Sequence, residues 1–289
     1  MSHLHTAAVP ETHDRPVDGP RLIADSISVG YRETPVITDL SLTVPTGVIT
    51  TVIGPNGCGK STLLRALSRL LSPTEGAVTL DGRAIASMKS REVARTLGLL
   101  PQSPIAPAGL RVADLVARGR HPHQSWLRQW SSDDADKVAA ALEQTGIADL
   151  ADRPVDSLSG GQRQRVWISL ALAQETDLLL LDEPTTFLDL AHSLEVLDLV
   201  DSLHDDLNRT VVMVLHDLSL AARYSDHLVV MKEGRIVATG TPSEVITEEL
   251  LADVFDLKAR VIEDPVSDRP LIIPVGNRHV HPDLAGGAH

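Results

Sequence analysis

Apolar residues in this chain fall into short aliphatic runs separated by helix-like stretches, and their order predicts an α/β fold. Leu22–Val29 and Leu40–Val44 alternate apolar and polar residues as half-buried strands do, and Val48–Ile53 is a short β-branched run. A Gly-rich turn leads into a helical pattern over Ser61–Leu71, closed by Ser72 and Pro73. Asp81 and Gly82 mark a turn, and Thr96–Leu100 reads as a buried strand. A helical region follows over about Val112–Gly146, interrupted at Gly119–Pro122. Alternation then returns: strand Leu178–Leu181, helix His192–Leu207, strand Val211–Leu215, short helix Leu218–Tyr224. Leu228–Met231 and Arg235–Ala238 form a hairpin through Glu233 and Gly234. Strands buried on both faces of a parallel sheet give such unbroken aliphatic runs. The expectation is a mostly parallel core sheet with a mostly helical insertion at about 103–160.

Composition narrows the picture. The length of 289 residues suits one large domain or two modest ones. Aromatics make up only 2%, so the core is built from Leu, Val, Ile and Ala. A formal net charge of −13 repels polyanions, so no nucleic-acid partner is expected. No apolar run approaches the ~20 residues that span a bilayer. Residues 1–20 are polar, with no apolar stretch of signal-peptide length, which predicts a cytosolic chain that reaches any membrane through a partner. Residues 1–20 and 277–289 read as tails flanking one domain over 21–276. His3, His5, His13, His279, His281 and His289 lie in those tails, as solvated residues or, alternatively, as metal ligands. The single cysteine, Cys58, excludes an internal disulfide and a cysteine zinc cluster.

Candidate chemistry begins where the third strand ends. Gly54, Pro55, Asn56, Gly57, Cys58, Gly59, Lys60, Ser61 and Thr62 spell G-x-x-x-x-G-K-[ST]. Glycines let backbone N–H groups turn inward around phosphate oxygens, and the following helix points its positive end at the same place. Lys60 can reach the β- and γ-phosphates, and the Ser61 hydroxyl can coordinate Mg²⁺. A plain Gly-rich turn at a helix start is the alternative; a strand before and a helix after favour nucleotide binding. Cys58 falls at a variable position and reads as a small filler.

Two further strands end in polar groups. Leu178–Leu181 runs into Asp182 and Glu183 at a sheet edge where ligands bind. Asp182 suits Mg²⁺, directly or through water. Glu183, pointing elsewhere, suits the polarisation of a water that attacks the γ-phosphate. His216 follows Val211–Leu215 and either contacts the γ-phosphate or caps the next helix.

Leu158, Ser159, Gly160, Gly161 and Gln162 open a helix running to about Ala173. Ser159 is a plausible N-cap, and the two glycines leave helix-start amides open to an anion. A second phosphate site without a lysine is useful only if two copies face each other. Together with Gly54–Thr62, in this order, the segment resembles the ATP-binding-cassette ATPases, a branch of the P-loop NTPases. That resemblance covers about residues 22–275. It implies an antiparallel β subdomain and a helical signature subdomain beside the core sheet. It also gives roles to Tyr31 as the aromatic stacking on adenine, Gln102 as the glutamine touching Mg²⁺ and water, and Asp189 as the aspartate communicating across a dimer. For Tyr31 a plain edge-strand tyrosine is the alternative.

The resemblance further implies a head-to-tail homodimer holding two ATPs. Each ATP lies between one subunit's phosphate loop and the other's Ser159–Gln162. Transmembrane permease subunits would dock near Gln102 at the cytoplasmic face of the membrane, with a substrate-binding protein acting indirectly. Val116–Gln124, Val261–Val266, Pro270–Pro274 and Val214–Leu218 are similar to ferric-siderophore importer ATPases, especially the ferric-enterobactin type. An importer for cobalamin or haem, or a soluble non-transport cassette protein, are the competing expectations. The Leu158–Gln162 segment speaks against a simple P-loop kinase or GTPase.

Overall fold

The computed structural model describes residues 19–32, 34–124 and 130–276. The expectations for residues 1–18 and 277–289, tail histidines included, lie outside the described residues.

Six strands build the central sheet in the order β10-β9-β3-β8-β7-β6. These are β3 (Ile49–Ile53), β6 (Leu97–Leu100), β7 (Leu178–Asp182), β8 (Thr210–Val214), β9 (His227–Lys232) and β10 (Arg235–Gly240). All neighbours pair in parallel except β9 and β10, the hairpin read from Glu233 and Gly234. Strand alternation explains why the central runs are apolar throughout. Ile49 and Ile53 of β3 enter one core, Val52 the other. Leu179 and Leu181 face the first while Leu178 and Leu180 face the second. The same division holds for Val211 and Met213 against Val212 and Val214.

The second core is closed by an antiparallel sheet, β2-β1-β4-β5. Its strands are β1 (Leu22–Tyr31), β2 (Thr34–Val44), β4 (Glu75–Leu80) and β5 (Arg83–Ala84). Helix α1 (Lys60–Leu67) sits between the sheets, with Leu63, Leu64 and Leu67 fully buried. It ends four residues before the Leu71 that the pattern Ser61–Leu71 predicts. Ser68 closes it, and Arg69 takes a left-handed conformation (φ 63°) that no α-helix continues.

The first core lies under the helices between β6 and β7. A short helix α2 (Ser90–Thr96) precedes β6. Then come α3 (Val112–Ala117), a 3₁₀ segment at Arg118–His123, α4 (Ser132–Gln144) and α5 (Gly160–Ala173). The break falls where Gly119 and Pro122 forecast it. Gly119 backs directly onto the carbonyl of Leu170 in α5, so a side chain there would collide with backbone. Helices α6 (Leu190–Leu207) and α7 (Leu218–Tyr224) complete the crossovers. The chain continues through α8 (Pro242–Val245) and α9 (Glu248–Phe255) into the hairpin β11 (Ala259–Glu263) and β12 (Pro270–Pro274). No helix among the described residues is long and apolar enough to cross a membrane.

Candidate nucleotide site and signature turn

The Gly54–Thr62 loop connects β3 to α1 at the C-terminal edge of the sheet. Two glycines are required by its path. Gly54 (φ 154°) lies against the carbonyl of Met231, leaving no room for a Cβ. Gly59 (φ 106°) occupies the N-cap of α1 in a left-handed conformation. No side chain caps this helix and no acidic residue enters its first turn, so its amides and positive end remain open to an anion. Lys60 is buried, its ammonium donating to the carbonyls of Gly54 (2.7 Å) and Pro55 (3.0 Å). Cys58 is buried beneath the loop, and burial pushes its thiol pKa up, as suits a filler rather than a reactive group.

The strand ends meet this loop. Ser61 Oγ donates to Asp182 Oδ1 at 2.8 Å. Burial raises the Asp182 carboxyl above the usual aspartate range; the Ser61 bond works against it, and the Glu183 charge adds to it. Glu183 is held from three directions. Gln102 Nε2 and Thr186 Oγ1 (2.9 Å) donate to its Oε2, and His216 Nε2 lies 2.5 Å from its Oε1. Glu183 also adopts a left-handed backbone (φ 55°), a conformation held only when the surroundings impose it. The cap of α7 comes from Asp217, whose Oδ1 accepts from Ser219 and Leu220 N–H groups. His216 is thus free of the capping role that was the alternative for it. A cleft of about 600 Å³ is lined by Asn56, Lys60, Ser61, Gln102, Glu183 and His216, among others.

Tyr31 ends β1, 43% exposed, and its hydroxyl accepts from Arg65 Nη1 at 2.7 Å. The apolar side chain lining the cleft is Val36 of β2.

The signature turn occupies different ground. Ser159 caps α5: its Oγ accepts from Gln162 N–H at 3.3 Å, while Gln162 Oε1 accepts from Ser159 N–H at 3.2 Å. Ser159, Gly161, Gln162, Arg165, His192 and Glu195 border a second cleft of about 270 Å³, which shares no lining residue with the first. Asp189 is the N-cap of α6, its Oδ1 accepting from the N–H (2.9 Å) and ring Nδ1–H (2.7 Å) of His192. Those two bonds, the backbone one foremost, lower its carboxyl pKa.

Of the residues singled out from sequence, the phosphate loop, Gln102, Asp182, Glu183 and His216 come together around one cleft. Ser159–Gln162 and Asp189 lie elsewhere, and Tyr31 lies outside the cleft lining. Thr186, Val36 and His192 were not anticipated. The only sequence signals for them are a hydroxyl three residues past Glu183 and the D-x-x-H spacing of a capped helix start.

The family model for ABC transporters matches residues 37–186. A siderophore transport system ATP-binding protein of Bacillus subtilis is 55% identical over 87% of this chain and 92% of its own. The chain belongs to the ABC transporter family. It is an ATP-binding, ATP-hydrolysing member, as the phosphate loop implied. The ferric enterobactin transport ATP-binding protein of Escherichia coli is 48% identical, covering 89% of this chain and 94% of its own. Among solved structures, a chain of an inward-facing metal-chelate-type ABC transporter matches with a TM-score of 0.77 at 29% identity, over 89% of this chain and 98% of that one. A dimeric cassette bound to ADP and Pi matches at 0.67 and 25% identity, over 76% and 98%. Cassettes of this family thus form dimers.

Proposed function

We propose that this ABC ATPase drives uptake of ferric siderophores. It works as a head-to-tail dimer on transmembrane permease subunits at the cytoplasmic face of the membrane, served indirectly by a substrate-binding protein. The observation that carries the cargo is 48–55% identity, over about nine-tenths of the chain, to relatives named for siderophore transport.

The amides of Gly57–Thr62 and the start of α1 cradle the ATP phosphates, with Lys60 turning from its carbonyl partners to the β- and γ-oxygens. Ser61, Asp182 and Gln102 offer hard oxygen donors, and the half-buried Ser61, already paired with the buried Asp182, fits a small divalent cation beside it. These residues would hold Mg²⁺, which neutralises phosphate charge when bound. Glu183 accepts the proton of the attacking water as the new O–P bond forms and the bond to the bridging oxygen breaks. Gln102 and Thr186, bonded to that carboxylate, and His216, in close contact with it, orient it; His216 is the residue poised to contact the γ-phosphate. Tyr31 serves the adenine. Ser159, Gly160, Gly161 and Gln162 of the second copy close over the same ATP, and Asp189 lies between the two sites.

The test is uptake of radiolabelled ferric siderophore, with labelled cobalamin in parallel, in cells lacking the protein and supplied with wild type or Glu183→Gln. Restoration of siderophore entry by wild type alone is the expected outcome. Restoration of cobalamin entry instead would overturn the cargo and leave the ATPase standing.

A further inference from the structure

The loop leaving Glu183 does not end at Asp189; it continues, contact by contact, to the signature turn of the same subunit. Thr186 donates its hydroxyl to Glu183 Oε2 (2.9 Å) and its N–H to the Glu183 carbonyl (3.2 Å). Leu188 N–H bonds the Thr185 carbonyl at 3.2 Å, carrying the turn to Asp189. Asp189 takes both hydrogen bonds of His192, and a carboxylate acceptor fixes the imidazole as the Nδ1–H tautomer. The ring then packs against Gly161 of the signature. A Cβ on Gly161 would come within 2.7 Å of His192 Cδ2, and one on Gly160 within 3.5 Å of Leu188 Cδ2. Gly160 therefore faces Leu188 of this loop, and Gly161 faces His192 in the first turn of α6. One turn further along, Arg165 and Glu195 pair at 2.5 Å and tie the same two helices.

We propose that His192 is a positioning residue that couples the Glu183–Asp189 loop to the signature turn Ser159–Gln162 within one subunit. The inference rests on the dimer reading above. In that dimer a subunit's Glu183 serves its own ATP and its signature serves its partner's. The Glu183–Asp189–His192–Gly161 relay therefore joins the two ATP sites within one chain. The backbone of the relay is held in a narrow set of conformations, since Glu183 (φ 55°) and Phe187 (φ 65°) are both left-handed. Packed contacts of this kind transmit discrete shifts rather than gradual ones.

The experiment measures steady-state ATP hydrolysis against ATP concentration for the full chain carrying His192→Ala, His192→Asn or Glu183→Gln. Binding of a fluorescent ATP analogue and thermal melting are followed in each. His192→Ala is expected to lower kcat about tenfold and to reduce the Hill coefficient toward one, with analogue affinity and melting unchanged. His192→Asn, whose amide N–H reproduces the Nδ1–H bond to Asp189, is expected to recover most of both. A His192→Ala protein within twofold of wild type in kcat and Hill coefficient would overturn the inference. So would a loss that tracks weaker analogue binding or a lower melting temperature. Continued turnover by Glu183→Gln strikes the catalytic reading instead, so the two failures are told apart.

Discussion

Two helix starts in this molecule carry glycines and face anion-binding work, and they are built in opposite ways. At α1 the cap is a left-handed glycine with no side chain, the lysine is buried behind the loop, and two strand ends bring Asp182, Glu183 and His216 alongside. At α5 the serine caps its own helix, Ser159 and Gly160 are exposed, and no lysine is near among the cleft residues. The first is complete within one chain. The second has its Ser159 and Gln162 amides satisfied internally and, on the proposed reading, becomes a phosphate site only against another surface. On the proposed reading, an ATPase assembled from these parts binds nucleotide as a monomer and finishes its site as a dimer.

Perturbing either side separates them. The largest effect belongs to the phosphate loop. Lys60→Ala removes the one cation buried behind it, and ATP turnover, followed by phosphate release, falls by about 10²–10³ or more. Chelating divalent cations with EDTA stops wild-type turnover and readdition of Mg²⁺ restores it. Next comes the ground on which the signature helix stands. Arg120 is 3% exposed and binds Asp134 (2.9 Å), the Ala173 carbonyl (2.7 Å) and Glu175 (2.8 Å). Arg120→Ala leaves the buried Asp134 without its cation, though Glu175 keeps Lys137, and should cost about 3–5 kcal/mol in urea unfolding, while ATP-analogue affinity at the phosphate loop of the folded protein stays as it was. The smallest effect is Ser159→Ala, which removes the α5 cap. It should cost about 1 kcal/mol of stability and slow turnover of the dimer without weakening monomer binding.

Legibility followed the same division. The phosphate loop and the Asp182–Glu183 pair are written locally, as consecutive residues on a buried strand and a tight turn, and sequence alone placed both. Central strands were equally plain because burial on two faces forces unbroken aliphatic runs. Edge elements were not. β4, β5, α2 and the β11–β12 hairpin escaped the reading, because their hydrogen bonds come from neighbours while many side chains remain in water. β2 begins six residues before its apolar pattern does for the same reason. Arg120 reads as a surface residue in Arg-Gly-Arg, and only Asp134 and Glu175, brought from distant positions, make its burial tolerable. His192 was invisible because its meaning lies in a contact with Gly161, thirty-one positions earlier, and glycine advertises no partner.

The alternation along β3, β7 and β8 has a mechanical meaning. Adjacent residues of one strand end in different cores, so the central sheet is a wall common to both. Removing Leu180 thins one side and removing Leu181 the other, yet neither layer can part from the sheet without unseating strands that the other layer also grips. Heating should therefore dissolve the antiparallel layer and the helical layer in one cooperative step, a single calorimetric peak rather than two. The same stiffness makes the sheet a fixed bearing, against which loops at its edge can pivot while the strands that carry them stay in register.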